Sequence, residues 1–99
     1  MTRMYVVVPC YNEEAVLMET ASRLRKKLED LTAQGRIAPG SRVLFVNDGS
    51  KDRTWELIAQ LHREQPEVFS GLKLSRNRGH QNALLAGLME AAKHADVIV

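Results

Sequence analysis

The chain has 99 residues, a formal net charge of +2, 44% hydrophobic residues and 26% charged residues. This length and balance are typical of one folded globular domain at most. The small net charge and the few aromatic side chains argue against nucleic acid as a partner. A single cysteine, Cys10, excludes an internal disulfide and suits a reduced, intracellular compartment, and no Cys/His spacing indicates zinc. No apolar run approaches the roughly 20 residues that a membrane-spanning helix needs.

Short apolar runs alternate with longer helical patterns along the chain. The β-branched run at the N-terminus is continuously apolar, which is typical of a strand buried on both faces of a parallel sheet, and Pro9 is expected to end it. The order βαβαβαβ predicts an α/β fold, a Rossmann-like three-layer sandwich with a mainly parallel sheet and right-handed crossovers. The predicted strands are Met4–Val8, Arg42–Val46, Gly71–Ser75 and one beginning at Asp96, and the predicted helices are Glu13–Gln34, Thr54–Gln65 and Gln81–His94.

Each predicted helix carries an apolar face that is expected to pack on the sheet. Asn12 is positioned to cap the first helix, and Glu13 and Glu14 would lie in its first turn, where carboxylates complement the helix dipole. The inward positions are expected to be Leu17, Ala21, Leu24, Leu28 and Leu31 in the first helix, Trp55, Ile58 and Leu61 or Leu57 in the second, and Leu84, Leu85, Leu88, Met89 and Ala92 in the third.

Three polar loops follow the first three predicted strands, at Pro9–Glu13, Asn47–Ser50 and Ser75–His80. Ligands of open α/β sheets bind in the crevice outside the carboxyl ends of the strands. The three loops should therefore converge on one candidate ligand site.

The residues of the first two loops each have a structural interpretation as well as a functional one. Asp48 could serve simply as a turn residue, or it could point at a ligand from the strand end. Tyr11 could cover the end of the first strand or stack its ring on a nucleobase. Asn12 and Glu13 could be only a helix cap and a dipole partner, or they could contact the ligand.

The third loop contains the cations that a diphosphate would require. Arg76 and Arg78 carry the forked, permanent charge that suits phosphate oxygens, although loop arginines are often simply solvated. Gly79 permits a left-handed backbone or a close approach by a ligand. Cys10 is expected to be a small residue packed at the strand end rather than a reactive thiol.

The segments Val6–Glu14, Val46–Thr54 and Leu74–Leu88 together resemble the family 2 glycosyltransferases of the GT-A fold, and within them the polyprenyl-phosphate sugar transferases. Asn47 departs from the commoner first Asp of the family's Asp-Asp-Gly-Ser motif, whereas Asp48 matches its second Asp. The resemblance implies that residues 1–99 are the N-terminal, nucleotide-sugar-binding part of a glycosyltransferase domain. The predicted binding residues for a UDP- or GDP-linked sugar are Pro9, Tyr11, Asn12, Glu13, Val46, Asp48, Arg76 and Gly79.

The same resemblance implies a transfer of a hexose, with inversion, from a nucleotide-diphosphate sugar to an acceptor, of which polyprenyl phosphate is favoured. A divalent cation, Mg²⁺ or Mn²⁺, is expected on an Asp-x-Asp motif that would follow Val99. Catalytic and metal-binding residues are therefore expected outside these 99 residues, and the fragment alone should be inactive. It should be soluble, with the full-length enzyme held at the cytoplasmic face of the membrane by later segments.

Three alternatives stay open at this stage. The acceptor could be a glycan or another molecule, which predicts a catalytic carboxylate downstream of residue 99. The chain could instead be a non-catalytic nucleotide-binding module. A homo-oligomer is also compatible with the sequence.

Overall fold

A parallel sheet forms the centre of the computed structural model, which describes residues 3–74, 79–95 and 97–98. The strand order is β3-β2-β1-β4, and every neighbouring pair is parallel. This arrangement confirms the predicted α/β fold. Among the described helices, none is both long and apolar enough to cross a bilayer. The elements are β1 (Met4–Cys10), α1 (Leu17–Ala33), β2 (Arg42–Asp48), α2 (Thr54–Glu64), β3 (Phe69–Leu74), α3 (His80–Ala91) and β4 (Val97–Ile98).

The sheet is buried on both faces, which explains why its inner strands are continuously apolar. Alternate residues of β2 belong to different cores: Val43 and Phe45 pack with α1 and α2, whereas Leu44 and Val46 pack with α3. The α1/α2 core includes Leu17, Ala21 and Leu28 of α1, Ile58 and Leu61 of α2, and Phe69 of β3. The predicted inward faces of the first two helices are thus confirmed, with Leu24, Leu31 and Trp55 only partly buried.

Strand β1 continues through Pro9 to Cys10, so the prediction that Pro9 ends the strand is wrong. Proline lacks the N–H that a central strand donates to its neighbour, and it is tolerated where no neighbour needs that donor. On one side β1 pairs with β4 only at Met4 and Tyr5 among the described residues. Pro9 lies beyond that paired segment and keeps its register with Val46 of β2 on the other side.

Helix α1 begins at Leu17, and Asn12 does not cap it. The backbone of Asn12 has a φ of 52°, in the left-handed region, and its side chain accepts a hydrogen bond from a different loop, at Lys51. Glu13 and Glu14 consequently precede the helix, and the acidic residue of its first turn is Glu19. The predicted helix start and the capping role of Asn12 are both wrong.

Helix α3 packs on the sheet through its small residues rather than its large ones. Ala83 and Ala91 are fully buried, and Gly87 lies between them at the same helical spacing. Leu85 and Met89 are 55% and 64% exposed, and the helix ends at Ala91, so the inward positions predicted for these two residues and for Ala92 are wrong. The predicted positions of Leu84 and Leu88 are confirmed in part, since both pack at the edge of this core.

The short distance between α3 and the sheet explains why small residues of the helix face the strands. A Cβ atom added at Gly87 would lie 2.5 Å from Val7 Cγ1 and 2.7 Å from Val46 Cγ2. Those distances are too short for nonbonded carbon atoms. The helix therefore contacts β1 and β2 directly across a residue without a side chain.

Replacing Gly87 by Val tests the closeness of this contact. Two valines of the sheet must move, and overpacking of this kind costs typically about 2 kcal/mol. We expect Gly87→Val to lower the free energy of unfolding of the intact protein by that amount in urea titrations followed by circular dichroism. Gln81→Ala, at an exposed position of the same helix, should change it by less than about 0.5 kcal/mol. Equal stabilities for the two variants would contradict the packing described here.

Candidate functional site

The carboxyl end of β2 carries two buried polar residues, Asn47 and Asp48, which are 1% and 3% exposed. The strand extends through both residues instead of ending at Val46, and it then turns at Gly49, whose φ is 69°. Because side chains alternate along a strand, Asn47 lies on the α1/α2 face and Asp48 on the α3 face. The turn therefore begins with one polar group on each side of the sheet.

The side chain of Asn47 stabilises the turn from within the protein. Its Oδ1 accepts a long hydrogen bond of 3.4 Å from the backbone N–H of Ser50. Its Nδ2 is buried and has no hydrogen-bond partner among the described residues. A buried donor without a partner costs about 1 to 3 kcal/mol, so this position is a source of instability beside the turn.

The loop between β1 and α1 lies next to this turn. Its first residues are differently exposed: Pro9 and Glu13 are half-buried, whereas Tyr11 is 41% exposed and Asn12 is exposed. Cys10 and Asn47 are register partners in the β1–β2 pair, so the two strands end side by side. The loop that follows β1 is thus brought to the same edge as Asp48.

Asn12 joins the two loops by a reciprocal pair of hydrogen bonds. Its backbone N–H donates to Ser50 Oγ at 3.0 Å, and its Oδ1 accepts from the backbone N–H of Lys51 at 2.8 Å. The side chain of Asn12 therefore contacts protein backbone, and this contact explains why the residue adopts a left-handed conformation that asparagine tolerates better than most residues.

The next two residues of the loop are held by Asp52 and Thr54. The backbone N–H of Glu13 donates to Thr54 Oγ1 at 2.8 Å, and that of Glu14 donates to Asp52 Oδ2 at 3.2 Å. Asp52 Oδ1 accepts from both the hydroxyl and the backbone N–H of Thr54, the latter at 2.9 Å. Side chains of the β2–α2 loop, counted here to Thr54 at the start of α2, thus accept hydrogen bonds from three consecutive backbone N–H groups of the β1–α1 loop.

These hydrogen bonds favour the ionised form of Asp52. The hydroxyl of Thr54 lowers the pKa of the Asp52 carboxyl below its ordinary value of 3.8, and the backbone N–H groups of Thr54 and Glu14 act in the same direction, against a smaller opposing effect of burial. A lowered pKa means that ionised Asp52 contributes stability above its ordinary pKa and that this contribution disappears as the pH falls through the lower value. At neutral pH the carboxylate is charged.

The remaining predicted site residues are placed less directly. The side chain of Val46 is fully buried against Gly87 of α3, where it contributes packing. Gly79 is exposed immediately before α3 with a φ of 87°, so it adopts the left-handed backbone that glycine permits, and no other described residue lies within 4 Å of where its Cβ would be. Arg76 lies outside the described residues, and its role stays a prediction.

Three residues that the predicted site did not include, Ser50, Asp52 and Thr54, hold the two loops together. A local signal for part of this set exists in the sequence. An Asp two residues before a helix start is typical of an Asx turn, in which its carboxylate accepts the backbone N–H two residues later. The contacts to Asn12, Glu13 and Glu14 span about 40 positions of sequence and have no such local signal.

The described residues do not include a metal centre. No group of three or more His, Cys, Asp or Glu side chains comes together in the part of the chain that the structure covers. Asp48 and Asp52 also lie in different surroundings, since Asp52 is occupied by Thr54 and Glu14. No step is therefore assigned to a cation here, and the predicted Asp-x-Asp site stays a prediction.

Cys10 is a buried residue at the end of β1, as predicted. It is 3% exposed, and its Sγ donates weakly to the carbonyl of Val8 at 3.5 Å. Burial, with a smaller effect of the neighbouring Glu13 carboxylate, raises the pKa of the thiol to about 12. The thiol is therefore neutral at physiological pH.

A central parallel sheet with two loops hydrogen-bonded to each other at its carboxyl edge defines an α/β protein. The sequence model of Glycosyl transferase family 2 matches residues 5–98, and the chain belongs to this family of glycosyltransferases.

The names of similar proteins agree with this family. Two proteins of Bacillus subtilis (strain 168), the uncharacterized glycosyltransferases YkoT and YkcC, are 50% and 43% identical to it over 94 residues, which is 95% of this chain and 28% and 27% of their own lengths. An undecaprenyl-phosphate 4-deoxy-4-formamido-L-arabinose transferase of Pectobacterium atrosepticum is 32% identical over 95% of this chain and 26% of its own length. The chain thus spans about a quarter of the curated relatives it matches.

The neutral thiol of Cys10 should be unreactive towards alkylating agents. With a pKa of about 12, only about one thiol in ten thousand is ionised at pH 8. We expect iodoacetamide to label Cys10 on the order of 1,000-fold more slowly in the native protein than in protein unfolded in guanidinium, where the pKa is near 8.5. Mass spectrometry of the peptide that contains Cys10 measures both rates. Similar rates in the two states would contradict the buried, neutral thiol.

Proposed function

We propose that the intact protein transfers a hexose, with inversion, from a UDP- or GDP-linked sugar to polyprenyl phosphate. The chain described here supplies the nucleotide-binding wall of that site. The observation that carries the proposal is the buried carboxylate of Asp48 at the carboxyl end of β2, beside a loop that presents Tyr11 and Glu13. A carboxylate in this place can accept hydrogen bonds from the base or ribose of a nucleotide.

The half-exposed ring of Tyr11 supports a nucleotide ligand. The residue is 41% exposed and lies in the loop that reaches the same sheet edge as Asp48. An aromatic face of this kind stacks on a flat ring in offset geometry. Tyr11 and Asp48 would together recognise a nucleoside, while the diphosphate extends towards the loop that contains Arg76 and Gly79.

The acceptor is proposed from chemistry and from the names of relatives. The printed name of the Pectobacterium relative specifies undecaprenyl phosphate. A phosphate monoester is already an anion near neutral pH, so its oxygen can attack the anomeric carbon without a strong general base. The new carbon–oxygen bond forms as the bond to the nucleoside diphosphate breaks, in a single displacement that inverts the anomeric centre.

A divalent cation is proposed for the intact protein. It would bind diphosphate oxygens and act as a Lewis acid on the departing nucleoside diphosphate. Its ligands are proposed in an Asp-x-Asp segment after Val99. The contribution of the described residues is to bind and orient the nucleoside. We further propose that later segments hold the protein at the cytoplasmic face of the membrane, where the lipid acceptor is found.

The transfer can be tested with the intact protein in detergent. UDP- and GDP-linked hexoses carrying a radiolabelled sugar are incubated with undecaprenyl phosphate and Mg²⁺ or Mn²⁺, and the organic phase is counted. Label in a lipid of mild-acid lability supports the proposal. Transfer only to a glycan hydroxyl would replace polyprenyl phosphate as the acceptor. Nucleotide binding without any transfer would indicate a non-catalytic binding module.

Removing the Asp48 carboxylate should weaken binding of the nucleoside diphosphate. We expect Asp48→Ala in the intact protein to reduce the affinity for UDP or GDP by at least about tenfold, because a hydrogen bond to a charged group contributes about 1.5 to 3 kcal/mol. Isothermal titration calorimetry measures the change, and the circular dichroism spectrum checks that the fold is kept.

The matched control is Asp30→Ala, which removes an exposed carboxylate from α1. It should leave nucleotide affinity unchanged. Equal affinities of the wild type and Asp48→Ala for both nucleotides would rule out the assignment of Asp48 to the binding site.

A further inference from the structure

We propose that Thr54 and Asp52 are positioning residues, which fix the β1–α1 loop against the β2–α2 turn so that the nucleotide wall is formed before the ligand binds. This inference rests on the proposed function, because it concerns the same site. It assigns the two residues to holding the loops together rather than to contacting the nucleotide. The supporting observation is that backbone N–H groups of one loop donate hydrogen bonds to side chains of the other.

The carbonyl of Glu13 accepts hydrogen bonds from the N–H groups of Val16 and Leu17, at 3.1 and 2.9 Å, but the N–H groups of three consecutive residues of the β1–α1 loop find their acceptors outside it. The N–H groups of Asn12, Glu13 and Glu14 all donate to side-chain oxygens of the β2–α2 loop. Backbone donors that find no partner are costly, and loops that lack internal hydrogen bonds are otherwise mobile. Without these acceptors, three backbone donors would lose their partners, and the segment that carries Tyr11 and Glu13 would be held less firmly relative to Asp48.

The hydroxyl of Thr54 makes a hydrogen bond to each of the two loops, as a donor to one and as an acceptor from the other. It donates its single proton to Asp52 Oδ1 and accepts the N–H of Glu13 with a lone pair. Thr54 is fully buried, and the branched side chain of threonine has few accessible rotamers. The position of the Glu13 backbone is therefore determined by a rigid side chain at the first residue of α2.

Both carboxylate oxygens of Asp52 likewise accept hydrogen bonds from within the protein. Oδ1 accepts two hydrogen bonds from Thr54, and Oδ2 accepts one from Glu14. A carboxylate that already accepts three protein hydrogen bonds is oriented by them and is poorly suited to a further contact with the ligand. Its neighbours Lys51 and Arg53 are exposed, and Arg53 is paired with Glu56 at 3.2 Å. These observations favour a structural link between the loops over a ligand contact.

A binding surface that is already ordered before the ligand arrives has a measurable effect on affinity. Ordering a loop when a ligand binds reduces the affinity by the entropy of that ordering, whereas a loop that is already ordered avoids this loss. Removing the Thr54 hydroxyl should therefore raise the KM for the sugar nucleotide and the Kd for UDP or GDP by roughly tenfold. The kcat should change by less than about threefold, because the loop reaches the same bound position.

The test compares Thr54→Val with Thr54→Ser in the intact protein. Valine keeps the shape of the side chain without the hydroxyl, and serine keeps the hydroxyl. We expect Thr54→Val to weaken binding of UDP or GDP in calorimetry and Thr54→Ser to restore it to near the wild-type value. Hydrogen exchange should show faster exchange of the Glu13 amide in Thr54→Val only.

Two further variants separate the role of the loops from general destabilisation. Thr32→Val is the matched control, because the Thr32 hydroxyl likewise makes a hydrogen bond with protein backbone, here as the donor to the carbonyl of Leu28 in α1, away from the site. It should change neither nucleotide affinity nor exchange at Glu13. Asp52→Asn, which replaces the Oδ2 acceptor of Glu14 by an amide, should raise the Kd in the same direction as Thr54→Val and serves if the latter does not fold.

The outcomes distinguish this inference from the proposed function. A wild-type protein that binds neither UDP nor GDP would overturn the proposed function and the positioning role together. A wild-type protein that binds nucleotide, with Thr54→Val binding equally well, would overturn the positioning role alone. Equal weakening in Thr54→Val and Thr54→Ser would also overturn it, because the hydroxyl would then not be the group responsible.

Discussion

The hydrogen bonds from the backbone of Asn12, Glu13 and Glu14 to side chains of the β2–α2 loop determine the shape of the candidate site. Parallel strands bring successive loops to one edge of a sheet, but topology alone does not fix how those loops sit against each other. Here the fixing groups are short polar side chains that accept backbone N–H groups, led by Asp52 and Thr54. The same contacts hold Asn12 with a φ of 52°, a left-handed backbone that is incompatible with a right-handed helix at that point.

The two faces of the sheet are packed by different means, and the candidate site lies at the end of β2, which both packings constrain. On one face α1 and α2 contribute large aliphatic side chains around Phe45 and Phe69, whose ring centroids are 6.0 Å apart. On the other face α3 lies close to the strands through Ala83, Gly87 and Ala91. Both packings constrain the end of β2, so Asp48 is presented from a rigid strand rather than from a loop.

The sequence predicts the order of strands and helices along the chain well, and it predicts the contacts between loops poorly. Strands β1 and β2 follow from continuous apolar runs, and Asp48 follows from its place at the end of β2. The third strand is predicted at Gly71–Ser75, whereas β3 runs from Phe69 to Leu74. The capping role predicted for Asn12 is wrong because its partner, Lys51, is distant in sequence. The inward face of α3 is wrong for a different reason: hydrophobicity ranks Leu85 and Met89 above Ala83 and Gly87, whereas a close helix–sheet approach requires small residues.

Asn47 shows how the local chemistry of the turn balances two opposing effects. An aspartate at this position would add a second buried carboxylate to the end of β2, on the opposite face of the sheet from Asp48, and burying a charge without a partner is costly. The amide avoids burying that charge and keeps an oxygen for the N–H of Ser50, but it introduces a buried donor without a partner among the described residues. An unpartnered buried amide costs about 1 to 3 kcal/mol. The loop contacts made by Asn12, Asp52 and Thr54 are then needed to keep the turn in place, because Asn47 holds it through one long hydrogen bond only.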